Sequence, residues 1–153
     1  MPVSPVDLTG ELQPGDQPPE YRFVVTDPLL PIKDPDHEYP IAEVWRDTFR
    51  AIVARTVAGD YELRGIPGVR ALSPDEGLDV LRDRIANYGG VTLTELPDAT
   101  WETSVAMWGG SDYWDVLIDL HTVEEGRSDL VLGARVTEID EGYSFDVHMI
   151  YVP

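Results

Sequence analysis

Between Ser111 and Met149 the chain passes through three stretches in which every second residue is apolar. In the first these are Trp114, Val116, Ile118 and Leu120; then Leu130, Leu132, Ala134 and Val136; then Tyr143, Phe145, Val147 and Met149. A period of two marks a strand with one buried face and one wet face. Three such strands in succession, joined at the turn formers Glu125-Gly126 and Glu141-Gly142, specify a twisted antiparallel sheet with a single apolar side. That side needs a cover.

The cover is expected from two helices upstream. Ile41, Val44, Trp45, Thr48, Phe49, Ile52, Val53 and Thr56 recur at helical spacing, with Glu43, Arg46, Asp47 and Arg50 on the other side. Pro40 suits the first turn of this helix and Gly59 supplies its stop. Ser73-Pro74-Asp75-Glu76 is a capping box that opens a second helix with the stripe Leu78, Leu81, Ile85 and Tyr88, ended by Gly89-Gly90. Gly65-Ile66-Pro67-Gly68 between them reads as loop. Residues 91–96 and 101–108 read as two further strands, with Trp101 facing inward. The expected fold is therefore α+β, with two amphipathic helices packed on one face of a twisted antiparallel sheet of about five strands.

One domain is expected over residues 41–153, since 153 residues suit a single core. Residues 1–40 hold nine of the 13 prolines and read as an arm, extended or partly disordered, in which only Tyr21-Arg22-Phe23-Val24-Val25 has strand character.

The formal charge is −18, which repels nucleic acid and anionic membranes and steers cationic partners inward. The first helix is slightly basic; the acidity is densest after Gly109. No cysteine is present, so disulfides and thiolate chemistry are excluded. No apolar run is long enough to span a bilayer, and Met1-Pro2-Val3-Ser4-Pro5 lacks a signal-peptide n-region, so a cytoplasmic protein is expected.

No Gly-x-Ser-x-Gly elbow, phosphate loop, dinucleotide fingerprint or His-Glu-x-x-His motif occurs, so no catalytic residue, cofactor or metal set is assigned. The repeated Asp-x-His, Asp119-Leu120-His121 and Asp146-Val147-His148, places each pair on the outward face of a strand. The strand between them holds the two pairs roughly 10 Å apart, too far to share a metal, and the Asp140-Glu141 turn sets Arg135 opposite Asp146. An exposed cross-strand ion pair accounts for that arrangement. His37, in Asp36-His37-Glu38, has no ligand spacing around it.

The candidate partner-binding residues are Trp108, Asp112, Tyr113, Asp115, Asp119, His121, Glu124, Glu125 and Asp129. Aromatics beside a glycine turn, next to carboxylates, have the composition of a surface for a basic protein. Trp108 and Tyr113 are as consistent with core filling as with partner contact.

Three blocks, Trp101-Glu102-Thr103-Ser104 to Trp108, Tyr113 to Thr122, and Glu124-Glu125-Gly126-Arg127-Ser128-Asp129-Leu130, resemble a bacterial domain-of-unknown-function family. The likeness spans about residues 41–153 and implies a small, acidic, mostly actinobacterial protein without established catalytic residues. Val57-Ala58-Gly59-Asp60-Tyr61 is similar to the turn after the first helix of cystatin-like proteins of the nuclear-transport-factor type. That likeness implies either a small-molecule site or an immunity-type protein. The leading expectation is a non-enzymatic binding protein, of the immunity type in its narrower form, engaging a basic partner. The alternative is a cystatin-like small-molecule binder or enzyme with an Asp/His pair in a pocket between helix and sheet. A homodimer through the outward sheet face is a third.

Overall fold

A computed structural model describes residues 27–71 and 88–153, and within them the chain is an α+β fold. One α-helix, α1 (Glu43–Val57), lies against a five-stranded mixed sheet. The strands are β1 (Val69–Arg70), β2 (Val105–Trp108), β3 (Tyr113–Thr122), β4 (Gly126–Ile139) and β5 (Gly142–Tyr151). Their order across the sheet is β1-β5-β4-β3-β2. The expected second helix and the expected strand at Tyr21–Val25 fall outside the described residues.

The sheet is not purely antiparallel as expected. β1 follows the Gly65–Gly68 loop and runs parallel to β5, pairing Val69 with Phe145 and Arg70 with Asp146. Gly68 makes this possible: its backbone sits at φ +75, and its carbonyl accepts the Phe145 N–H at 2.7 Å. Residues 91–96 also depart from expectation, because they touch the sheet through a single bridge, Leu93 to Thr122. Trp101 sits on a 3-10 helix, Asp98–Glu102, instead of a strand. There the hydroxyls of Thr100 and Ser104 bond the carbonyl and N–H of Asp119, so side chains replace the ladder until β2 begins.

Trp45, Phe49, Ile52 and Val53 of α1 join Trp114, Val116, Ile118, Leu130, Leu132, Val136 and Phe145 in one core. Trp45 meets Trp114 edge-on at 5.3 Å between ring centres, and Phe49 meets Phe145 at 5.5 Å. Met149, expected inward, is displaced by a bulge: Gly133 pairs Met149 but Ala134 pairs Val147, so His148 is the extra residue. Beyond it the phase is reversed, and Ile150 takes the core position at 1% exposure.

Pro40 lies three residues before α1 and not in its first turn. Residues 28–39 instead form a strap. The carbonyls of Pro28 and Leu29 accept the N–H groups of Glu43 and Val44, supplying the cap that Ala42 lacks. Further along, the Ile32 carbonyl accepts the Trp114 indole N–H at 2.9 Å, and Tyr39 exchanges two backbone hydrogen bonds with Ala106 of β2.

Candidate functional site

α1 and the core occupy one side of the sheet; alternation sends the other set of side chains to the outer side. Register arranges these in rows. Tyr113, Thr137 and Ser144 make the first row, and Asp115, Arg135, Asp146 and Arg70 the second. Val105, Leu117, Gly133 and Met149 make the third, then Asp119, Val131 and Tyr151 the fourth. The second row alternates in sign and satisfies itself. Arg135 bonds Asp115 at 2.9 Å and lies 4.0 Å over the Tyr113 ring, while Arg70 pairs Asp146 at 2.7 Å. Asp115 accordingly holds the Arg135 guanidinium more firmly protonated than usual.

The third row is apolar and notched. Gly133 carries no side chain, and a Cβ there would come within 3.2 Å of the Tyr151 ring. The notch opens into a groove of about 300 Å³ lined by Leu117, Gly133, Met149 and Tyr151, with Asp115 and the exposed His148 at its rim. Beside it Asp119 is half-buried, and its carboxylate has no hydrogen bond or ion pair among the described residues.

The structure separates the residues that sequence reasoning grouped. Tyr113, Asp115 and Asp119 share the outer face, and exposed Asp112 adjoins them at the turn, where its carbonyl accepts the Glu138 N–H. Trp108 is turned to the opposite side: it pairs across the strands with Trp114 and packs on the core, so it cannot join Tyr113 in one patch. Tyr113 instead covers Gly109, where any Cβ would collide with its ring.

Glu124, Glu125 and Asp129 lie toward the other end of β3 from Tyr113, roughly 25 to 30 Å from it at roughly 3.3 Å per residue and closer to Asp119. They hold the incoming chain. Glu124 accepts the Thr92 N–H at 2.8 Å, which lowers its pKa, and Glu125 accepts the Tyr88 hydroxyl, which in turn receives the Asp129 N–H. His121 is 9% exposed, and its buried Nε2 has no partner among the described residues; burial pushes its pKa down, with Arg127 adding to the shift and Asp119 opposing it.

No hydrogen bond joins Asp119 to His121. Between them the β3–β4 register shifts, so the expectation that both simply face outward is overturned. Ser128 heals the irregularity by donating to the Leu120 carbonyl and accepting the Leu130 N–H. The other sequence expectation, Arg135 opposite Asp146, holds as register, but the ion pairs are Arg135–Asp115 and Arg70–Asp146. Among the described residues, no three His, Asp or Glu side chains gather as a metal site.

Residues 53–153 match the model of a domain of unknown function, DUF7668. The chain belongs to the DUF7668 family. The matched stretch contains every strand of the sheet and the last five residues of α1. Neither a curated protein nor a solved structure matches the chain.

The DUF7668 domain shares a second cleft with the part of α1 that precedes it. Arg46 and Arg50 both sit 5.2 Å from the centre of the Trp101 ring, beside Asp27, Asp98 and Glu102. Arg50 bonds Asp47 and Asp98, and Arg46 lies 3.5 Å from Asp27, an ion pair too loose to be a hydrogen bond. Both arginines are thus engaged by neighbouring carboxylates, and their stems and planes pack on Trp101. Its sequence signal was the pair of arginines four apart on the one basic element of an acidic chain. The groove of the DUF7668 sheet had no such signal, because Leu117, Gly133, Met149 and Tyr151 come together only through register.

Proposed function

We propose that this DUF7668 protein is a non-enzymatic binding protein whose outer sheet face engages a basic protein. The carrying observation is the notched apolar row Val105–Leu117–Gly133–Met149, half-exposed at Val105, Leu117 and Met149 over a buried Gly133, beside an Asp119 carboxylate that has no partner among the described residues. Apolar contact area supplies the affinity in such a surface, and charge supplies the encounter rate and the choice of partner. The chain's −18 charge favours a cationic partner at long range. An immunity protein neutralising a basic toxin is one protein of this kind.

The test is capture of a partner by the full chain, followed by titration of the purified pair at rising salt and by hydrogen exchange. The expected outcome is protection of residues 105–108, 115–119 and 149–151, with affinity falling steeply between about 0.05 and 0.3 M salt. Leu117→Arg, which raises a cation on the groove floor, is expected to abolish binding. A partner that binds independently of salt and of Leu117→Arg would refute the proposal, as would finding no protein partner.

A further inference from the structure

The groove has a shape and a charge that together select one kind of side chain. We infer that it receives a lysine or arginine side chain of the partner, stem over Gly133 and cationic head at Asp119. This deepens the reading of the outer face as the binding surface and rests on it.

Three observations carry the inference. Gly133 leaves a trough between Leu117, Met149 and Tyr151, all half-exposed, so an aliphatic chain laid there exchanges water for carbon on several sides. Neighbouring charges decide where a cationic head goes. Asp115 is occupied by Arg135 and Asp146 by Arg70, so a cation directed at either would have to displace an arginine already in place.

Among the described residues of the four rows, Asp119 is the carboxylate that no arginine holds. It lies one strand across and two residues along from Gly133, roughly 8 Å away from strand geometry. A lysine stem spans roughly 6 Å, so a backbone crossing near Gly133 brings its ammonium to that carboxylate. An aliphatic residue without charge would fill the trough and leave Asp119 unpaired. An acidic one would meet Asp119 and the overall negative field.

The experiment uses the full chain, isotopically labelled, and two synthetic peptides, acetyl-Gly-Ser-Lys-Ser-Gly-amide and its norleucine analogue, followed by amide shifts at low salt. The expected result is movement of Leu117, Asp119, Gly133, Met149 and Tyr151, with the lysine peptide binding roughly fivefold tighter than norleucine. Asp119→Asn is expected to erase that preference. Gly133→Ala adds a methyl in a strand that tolerates it once the Tyr151 ring shifts slightly, and is expected to weaken both peptides by filling the trough.

Equal binding of the two peptides, shifts elsewhere on the chain, or a preference that survives Asp119→Asn would overturn the inference. So would a solution mass showing a dimer that covers the same face. If a basic protein binds the outer face as well to both variants as to the unsubstituted chain, the side-chain assignment fails while the binding surface stands. If no basic protein binds but the lysine preference appears and depends on Asp119, the surface reading fails and the groove's selectivity stands.

Discussion

Trp45 and Trp114 are equally buried, at 0% and 1% exposure, and touch each other, yet they differ in one hydrogen bond. The Trp114 Nε1 donates to the Ile32 carbonyl, whereas the Trp45 Nε1 is buried without a partner among the described residues. Replacing either by Phe removes the same atoms and opens a cavity, a loss of about 2 kcal/mol for a partial truncation of a large core residue. For Trp45 the change also removes an unsatisfied donor, returning about 1 to 2 kcal/mol. For Trp114 it breaks a bond worth about 1 kcal/mol net, at the low end because Ile32 is exposed enough for its carbonyl to find water.

Trp114→Phe is therefore expected to be the more destabilising by about 2 kcal/mol. With a urea slope of about 2 kcal/mol per molar, the two midpoints should differ by about 1 M, read by far-ultraviolet circular dichroism. A second readout is local: Trp114→Phe loosens the strap, so the Glu43 and Val44 amides, bonded to Pro28 and Leu29, should exchange faster in that variant and not in Trp45→Phe. Equal midpoints, or a larger loss for Trp45→Phe, would refute the reasoning that an unpaired indole N–H is a liability in this core.

Other expectations follow from the same physics. Burial lowers the His121 pKa below its ordinary 6.5, so the unfolded chain binds the proton first; stability is full above pH 6.5 and falls as pH drops toward the lowered folded value. His121→Gln should flatten that limb of a stability–pH curve. The Glu124 contribution, a carboxylate with a lowered pKa, should persist until pH falls below its usual 4.5 and be lost through its folded value. Gly68→Ala meets both a positive φ and the Tyr143 carbonyl oxygen at 2.8 Å, so chemical denaturation should show a loss of at least about 2 kcal/mol. Gly109→Ala meets only the Tyr113 side chain, which can swing away, and should cost less while separating Tyr113 from Arg135. Ser128→Ala leaves the Leu120 carbonyl and Leu130 N–H of the β3–β4 irregularity short of a partner, an expected loss of about 2 kcal/mol in the same assay.

Much of the sheet was legible because alternation is a local property. Trp114 through Leu120 and Leu130 through Val136 face the core as the period of two requires, and the Asp140-Glu141 turn fixed Arg135 opposite Asp146. What could not be read depends on contacts distant in sequence. β1 has two residues, and its partner lies 76 positions further on, so nothing in Val69-Arg70 distinguishes it from loop. The bulge at His148 leaves no mark in composition, yet it reverses the facing of Met149 and Ile150.

The site divides in the same way. Tyr113, Asp115 and Asp119 were legible as the polar half of one strand. Gly133 was not, since a glycine in a strand becomes a notch only when Leu117, Met149 and Tyr151 surround it. Trp108, as consistent with core filling as with partner contact from its place beside a glycine turn, falls on the core side because it pairs with Trp114 across the strands.

The strap has a consequence for how the chain fails. The β3–β4 and β4–β5 hairpins close over turns of three and two residues, whereas the bond from Trp114 to Ile32 joins positions 82 apart and that from Lys33 to Glu138 positions 105 apart. Loop-closure entropy delays such distant contacts, so the hairpins are expected to form while Ala106 still presents a bare N–H and carbonyl along β2. An uncovered strand edge is a template for another chain. Tyr39, by occupying those two groups, acts as a guard against self-association, and damage to the strap is expected to show first as aggregation during folding and only second as lost stability.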